Sequence, residues 1–273
     1  DGEAMSGMAP NSKGNEELTW EKTMTTNVSL KLGFFDRFNF AAEFYNKKTT
    51  DMLMEVPISA VGGYSMRWSN IGAMVNRGVE LSLDADVLRI RNFRWNIFGN
   101  VSYNKNKITE LYDGRDEYDM GETNLFLKVG HDSREFYLNR FAGVNPANGD
   151  ALWYDKNGKL TNEIKEEDKV LTGKSADAPW QGGFGTTLSW KGISLSARFS
   201  WVSGRYMMNN DRFFSESNSS AYASYNHSSK MLYDRWRKPG DIASIPRYDI
   251  PIQFDDRLLE DASFLRLKNL TAS

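Results

Sequence analysis

The amino-acid sequence predicts an all-β fold, an antiparallel transmembrane β-barrel segment in which short turns alternate with very long loops. The first observation is that apolar and polar side chains alternate along residues 23–34, and a strand places successive side chains on opposite faces. The second is spacing: residues 35–37 separate this segment from the next amphipathic one, and about thirty residues then pass before the pattern returns. Short turns that alternate with long extracellular loops are typical of outer-membrane barrels.

The composition of the 273 residues is compatible with such a barrel. Hydrophobic residues make up 40% and charged residues 26%, and no stretch approaches the ~20 apolar residues that a spanning helix needs. A barrel passes this test because every second residue of its strands faces away from lipid. Aromatic residues reach 13%, which suits interfacial girdles, although composition alone favours an aromatic-rich β-sandwich core.

Several kinds of site are excluded by residue counts. The chain has no cysteine and two histidines, so a disulfide framework, a thiolate metal site and a multi-histidine zinc site cannot form. The net charge of -2, without a basic stripe, argues against nucleic acid. Residues 1–14 are polar and lack the apolar region of a signal peptide, so we expect the protein, if exported, to begin upstream of them.

Three hairpins account for six predicted strands. They pair residues 23–34 with 38–47, 78–87 with 93–104, and 183–190 with 193–202. In the second hairpin Val79, Leu81 and Leu83 alternate with polar residues, as expected of a strand with one wet face. Trp190 and Ile193 bracket the turn of the third hairpin, where a barrel carries its lower aromatic girdle.

A seventh strand is predicted at residues 263–271, and its facing stays open. Leu265 and Leu267 lie on one side of an ideal strand, whereas Phe264 and Leu270 lie on the other. Period-two alternation therefore indicates a strand here without deciding which side meets the membrane.

The three long connections decide between a soluble sandwich and a barrel. A sandwich sheet also alternates, because one of its faces packs on the core. Residues 48–77, 105–181 and 205–261 are too long for the loops of a compact sandwich, and all three fall at the same end of the predicted sheet. The barrel is the better interpretation.

The long connections contain turn signals but no catalytic motif. Asn148-Gly149 and the run 155–158 flank a short apolar stretch, so we expect small hairpins inside the second connection. The run 155–158 also has a faint likeness to a calcium loop, but an ordinary turn is favoured because the full ligand set is missing. With no nucleophile elbow, phosphate loop or metal-ligand spacing, and no cofactor motif, the sequence argues against an enzyme.

Eight short runs follow one another along the chain: residues 15–23 (NEELTWEKT), 44–53 (FYNKKTTDML), 70–72 (NIG), 76–81 (NRGVEL), 102–109 (SYNKNKIT), 145–150 (NPANGD), 235–241 (RWRKPGD) and 263–270 (SFLRLKNL). In this order they resemble one family, the SusC/RagA-type TonB-dependent transporters of Bacteroidetes outer membranes. No single run is specific, but together they cover the chain from about residue 15 to its end.

The resemblance implies a large plugged barrel, a class with about 22 strands. Its members import oligosaccharides, peptides or similar nutrients, their plug is opened by the TonB complex, and a SusD-like surface lipoprotein covers their loops. Seven strands are a third of such a barrel, so we expect the chain to be a C-terminal part of one barrel domain. Residues 1–19 would form an extracellular loop leading into the first strand and residues 20–273 the barrel strands and loops, without the plug or the last strands.

Seven loop residues are the candidates for substrate contact. Aromatic rings can serve as stacking platforms and charged groups as their polar partners, but packing of the loops against one another is the more usual role of a scattered aromatic. The candidate platforms and partners are Tyr64, Trp68, Trp153, Tyr154, Trp236, Asp234 and Arg235. Two rival functions remain open: a passive porin-like channel, and a soluble carbohydrate-binding β-sandwich.

Overall fold

A computed structural model describes residues 14–58, 63–64, 66–119, 126–217, 224–248 and 250–273. The strands are β1 (Lys22–Phe34), β2 (Phe38–Thr50), β3 (Leu53–Pro57), β4 (Met66–Asn70), β5 (Ala73–Ile90), β6 (Phe93–Glu110), β7 (Glu117–Asp119), β8 (Phe126–Lys128), β9 (Glu135–Leu138), β10 (Arg140–Val144), β11 (Ala151–Tyr154), β12 (Leu160–Thr161), β13 (Val170–Ser175), β14 (Trp180–Trp190), β15 (Ile193–Ser203), β16 (Tyr206–Met208), β17 (Leu259–Asp261) and β18 (Phe264–Ala272). In the described residues the helices are α1 (Asn210–Ser215), α2 (Lys230–Tyr233) and the 3-10 turns Tyr112–Gly114, Glu166–Asp168 and Asp256–Leu258.

One antiparallel sheet carries the seven strands that the sequence predicts. Its strand order is β1-β2-β5-β6-β14-β15-β18, so each strand pairs with the next predicted strand along the chain. The strands of the second hairpin are longer than predicted, with 18 residues each in β5 and β6. Within the described residues the sheet does not close on itself, and the all-β barrel-segment fold is confirmed.

The pairing register places the apolar side chains on one face. Trp190 lies opposite Phe93 at the short-turn end, and Trp180 lies opposite Tyr103 ten residues higher. The rings of Tyr103 and Trp180 are 4.6 Å apart, so both ends of the face carry aromatic residues. Ten residues at ~3.3 Å each, tilted by ~40°, span roughly 25 Å, which is the height of the lipid-facing band of a barrel.

β-Bulges set the facing of side chains in two strands. In β18 Asn269 pairs with Arg198 but Leu267 pairs with Phe199, so Lys268 is an extra residue. The bulge brings Leu265, Leu267 and Leu270 to the same outward face, which settles the question that alternation left open.

A second bulge lies near the lower end of β5. Asp86 pairs with Asn96 and Leu88 pairs with Trp95, so Val87 is unpaired. Leu88 therefore lies opposite Trp95, in the outward row that includes Ala85.

The long connections fold into small sheets above the upper end of the strands. Residues 53–57 form β3, which pairs with β4 beyond a change of backbone direction at Asp51, where φ is 56°. The hairpins predicted inside the second connection are confirmed as the three-stranded sheet β10-β11-β12. The helices of the described residues are short, and none has the length and apolarity to cross a membrane.

Candidate functional site

The inward face of the sheet carries a ladder of hydrogen-bonded polar side chains near its upper end. Tyr45, Gly78 and Asn104 lie side by side on three adjacent strands. The Tyr45 hydroxyl donates to Asn104 Oδ1 at 2.9 Å across the glycine. Asn104 and Asn106 each donate from Nδ2 to Oδ1 of Asn76 at 3.1 Å. The ladder fixes the side-chain amides and leaves their other polar atoms for contacts with water or ligand.

Gly78 is required by this arrangement. A Cβ at this position would lie 2.3 Å from the Tyr45 ring and 2.4 Å from the carbonyl oxygen of Tyr103. The aromatic ring therefore covers the position where a side chain would stand, as in the aromatic shielding of strand glycines. The absence of a side chain at Gly78 therefore allows the Tyr45 ring to cross β5 and reach Asn104 on β6.

A polar cavity of about 570 Å³ lies on this inward face beneath the loops. Its charged lining residues are of both signs: Lys47, Glu80, Asp177 and Arg205. The ladder residues Tyr45, Asn76 and Asn104 also line it. We call this space the luminal cavity. Its polar walls suit a hydrated ligand that offers hydrogen bonds and charge.

The second and third long connections meet at a buried ion pair of the third connection. Asp255 is fully buried, and Arg257 Nη2 approaches its Oδ2 at 2.8 Å. The indole N–H of Trp153 donates to the same carboxylate at 2.8 Å. The Arg257 guanidinium lies 3.8 Å from the centre of the Phe141 ring. The Asp255 carboxylate thus binds the cation of its own turn and the indole of the second connection, and the cation in turn packs on Phe141. These contacts hold the two loops together.

A second contact between the loops joins residues 145–150 to residues 235–247. Trp236 donates its indole N–H to the carbonyl oxygen of Pro146 at 3.0 Å. Its ring covers Gly149, where an added Cβ would lie 2.4 Å from it. Arg247 donates from Nε to Asp150 Oδ1 at 2.9 Å on the same turn. The runs 145–150 and 235–241 therefore form one packed unit.

The second connection is also attached directly to barrel strand β6. The backbone N–H of Ser133 donates to Asn106 Oδ1 at 2.9 Å, and Ser175 donates its hydroxyl proton to Asp132 Oδ1 at 2.9 Å. Burial raises the pKa of Asp132, and the hydrogen bonds from the Arg134 N–H and the Ser175 hydroxyl oppose that shift. Since Asn106 also belongs to the ladder, the loop layer and the luminal cavity share one hydrogen-bond network.

The candidate residues of the loops occupy three different environments. Trp68 and Tyr154 are 47% and 37% exposed and keep open ring surface, although Arg140 lies 5.4 Å from the Tyr154 ring. Tyr64 is half-buried. Trp153 is 4% exposed, so almost none of its ring is open to a ligand in this arrangement.

The remaining three candidates lie on the turn that holds the third connection. Trp236 is half-buried against Gly149, and Arg235 lies 5.8 Å from the ring of Tyr248. The Asp234 side chain is exposed, and its carbonyl oxygen accepts the N–H of Ile245 at 3.1 Å. None of the seven candidates is among the residues that line the luminal cavity.

Sequence reasoning missed the polar residues that the structure brings together. Tyr45, Asn76 and Asn104 carry no motif of their own, but each stands on the wet face of an alternating strand, and that face was the available signal. Asp168 and Asp255 belong to runs of acidic residues, which are usually solvated, yet they are 5% and 0% exposed. The backbone N–H of Lys156 donates to Asp168 at 2.9 Å, a contact that local sequence does not reveal.

Comparison with known proteins gives consistent relatives. The family model described as TonB dependent receptor-like, beta-barrel, matches residues 4–237. TonB-dependent receptor P39 of Formosa agariphila is 25% identical over 98% of this chain and 30% of its own length. TonB-dependent receptor SusC of Bacteroides thetaiotaomicron is 28% identical over 94% of this chain and 26% of its own length. The chain thus spans about 30% or less of these curated relatives.

Solved structures resemble the same part of the fold. The RagAB peptide transporter matches with a TM-score of 0.86 and 34% identity over 94% of this chain and 29% of its own. The open-open state of the RagAB peptide importer matches with a TM-score of 0.88 and 33% identity over 96% of this chain and 29% of its own.

Proposed function

Because this chain belongs to the TonB-dependent receptor β-barrel family, a family of the outer membrane, we propose that it is part of an importer driven by the TonB complex. In this proposal residues 20–273 supply strands and loops of one barrel domain and residues 1–19 lead into it. The plug that contacts TonB and the remaining strands belong to other parts of the protein. The observation that carries the proposal is the polar luminal cavity beneath a folded loop layer.

The proposed substrate is a peptide. The luminal cavity offers two cations, two anions and several amide groups, which match the charged ends and the backbone of a short peptide. An oligosaccharide would be better served by open aromatic platforms, and the ring of Tyr45 is packed over Gly78. The RagAB relatives are described as a peptide transporter and a peptide importer. An oligosaccharide stays the alternative substrate.

A surface lipoprotein of the SusD kind is the proposed partner at the loops. The loop layer is a folded platform with its own buried residues, which suits a lasting protein contact better than unstructured loops do. Among the candidates, Trp68 and Tyr154 keep ring surface for such a contact or for substrate, and Tyr64, Asp234 and Arg235 stay weaker proposals. The relatives are named receptors and transporters, which agrees with a chain that is not an enzyme.

The proposal is tested with the full-length protein and a defined peptide mixture. Glu80→Ala combined with Asn104→Ala should weaken peptide binding by about tenfold or more, since a lost charge-assisted contact is worth ~1.5–3 kcal/mol. Glu163→Ala, an exposed loop acid outside the cavity, is the matched control. Unchanged affinity in the double variant would remove the luminal cavity from the proposal. Uptake that continues in cells without TonB would instead favour a passive channel.

A further inference from the structure

A groove runs along the lipid-facing side of the sheet at the position of Gly99. Its volume is about 630 Å³. Leu81 and Leu83 of β5 form one wall, and Phe184 and Trp201 of β14 and β15 form the other. Because Gly99 has no side chain, the floor between these walls is backbone. The groove lies between strands that each have both neighbours present, so its walls are complete in this chain.

The groove presents hydrocarbon and no free hydrogen-bond donor at its lower end. Trp95 donates its indole N–H to the Thr186 hydroxyl at 2.8 Å. That hydroxyl donates in turn to the carbonyl oxygen of Asn96 at 3.1 Å. Both polar groups are therefore satisfied within the sheet, as groups inside a bilayer must be. A ligand of this groove has to be apolar along its length.

Two cations lie at the short-turn end of the same strands. Arg91 is in the turn between β5 and β6, and Lys191 is in the turn between β14 and β15. The backbone N–H of Lys191 donates to the carbonyl oxygen of Asn92 at 3.0 Å, so the two turns are neighbours. The Lys191 ammonium lies 5.2 Å from the ring of outward-facing Trp190. Neither cation has an ion-pair partner within the described ranges of the chain.

The heights of groove and cations match one lipid leaflet. Gly99 is eight residues from Arg91, which corresponds to about 19 Å along the bilayer normal for a strand tilted by ~45°. Half of a bilayer of ~40–45 Å, headgroups included, is close to this value. Arg91 and Lys191 are thus at headgroup level, and Gly99 is near the midplane.

We propose that the groove and the two cations form a binding site for a phospholipid of the periplasmic leaflet. One acyl chain lies in the groove over Gly99, and the phosphate lies between Arg91 and Lys191. Charge complementarity and the groove's place within the lipid-facing band identify this occupant. The short-turn leaflet is favoured over the outer one because the Trp201 ring covers Gly182, and the Tyr103–Trp180 pair stands above it at the other end.

The test is native mass spectrometry of the full-length protein extracted gently from the outer membrane. The wild type should retain a phospholipid. Leu83→Trp should lose it, because the larger side chain fills the groove from its wall. Gly99→Phe should give the same loss from the floor. Arg91→Gln combined with Lys191→Gln should also lose the lipid. Val28→Phe, an exposed lipid-facing position on β1, and Arg37→Gln, in the first turn, are the matched controls and should keep it.

Heat-modifiable migration of each variant verifies that the barrel has formed, so a fold defect is not mistaken for lost binding. Equal phospholipid retention in the wild type, Leu83→Trp and the double charge variant would overturn the site. Retention of lipid A instead of phospholipid in the wild type would overturn the assignment to the periplasmic leaflet.

Discussion

The indole ring of Trp236 lies directly on Gly149, a residue 87 positions earlier in the chain, so closely that a Cβ at Gly149 would stand 2.4 Å from the ring. Gly149 also has a φ of +77°. The contact joins two loops that emerge from different hairpins of the sheet. It makes the position of one turn depend on the other, and this dependence can be measured.

Gly149→Ala should loosen the joint between the two loops. Gly158 has the same φ of +77° but nothing within 4 Å of an added Cβ, so Gly158→Ala carries the backbone strain without the collision. We expect ~1 kcal/mol of strain in both variants and a further ~1–3 kcal/mol in Gly149→Ala. Hydrogen exchange of residues 145–150 and 235–247 in the full-length protein measures the difference. Equal exchange in the two variants would show that the ring contact contributes nothing.

Gly78→Ala should destabilise the barrel strands around the ladder. The new methyl group meets both the Tyr45 ring and the carbonyl oxygen of Tyr103, and overpacking of this kind costs ~1–3 kcal/mol. Tyr45→Phe keeps the ring and removes the hydroxyl that donates to Asn104, for a smaller loss of ~1 kcal/mol. The temperature of the heat-modifiable gel shift ranks the two variants. A larger loss in Tyr45→Phe than in Gly78→Ala would contradict this account of the glycine.

Arg257→Met should open the loop layer more than the double change Asp255→Leu with Arg257→Met. The single variant leaves the fully buried Asp255 carboxylate without its cation, and breaking a buried pair costs ~3–5 kcal/mol. Removing both charges avoids this penalty, although the indole N–H of Trp153 then loses its acceptor. Limited proteolysis of residues 141–155 and 250–260 reports the opening. The idea fails if the double variant is cleaved faster than the single one.

Asp256→Asn should stabilise its turn at neutral pH. Burial raises the pKa of Asp256, the Phe141 N–H opposes this shift, and neighbouring Asp255 adds to it. An acid with a raised pKa is favourable to the fold below its unfolded pKa of ~3.9 and loses that contribution as the pH rises through the folded value. Hydrogen-exchange protection of residues 139–141 and 256–258 should therefore rise in Asp256→Asn at pH 7, with no gain below about pH 4.

Asp261→Asn is the opposite-sign control for this experiment. The hydroxyl and the N–H of Ser263 lower the pKa of Asp261, so the ionised form stabilises the turn above the unfolded pKa and that stability is lost as the pH falls. Its asparagine variant should lose protection at pH 7. The same sign of effect in both variants would contradict the electrostatic explanation.

Local alternation was enough to predict the seven strands and the three hairpins, because each hairpin pairs neighbours in sequence. It was not enough at Lys268, where one unpaired residue moves Leu270 to the side of Leu267. A bulge is set by how the partner strand β15 fits, and the periodicity of a single strand does not record that fit.

The candidate site was less predictable for a similar reason. Two adjacent acids such as Asp255 and Asp256 are usually solvated. Asp255 is nevertheless buried, because it binds Trp153, 102 positions away, and Arg257. Tyr45 and Asn104 belong to different hairpins, so their contact exists after the sheet has assembled. Residue type and loop position found the aromatic residues of the loops but could not separate a packed ring such as Trp153 from an open one such as Trp68.

Leu138 and Leu258 have no exposed surface, and both belong to the long connections, whereas Leu265 and Leu270 of the lipid-facing strand are each 65% exposed. Substitutions should therefore be tolerated better on the strands than in the connections, the reverse of the usual relation. Exchanges among apolar residues on the membrane face open no void, but truncation of either buried leucine leaves a cavity and costs ~2–5 kcal/mol. Away from the groove over Gly99, variation among relatives should therefore be free along the outside of the strands. It should be restrained in the connections, although loops are otherwise the most variable part of a protein.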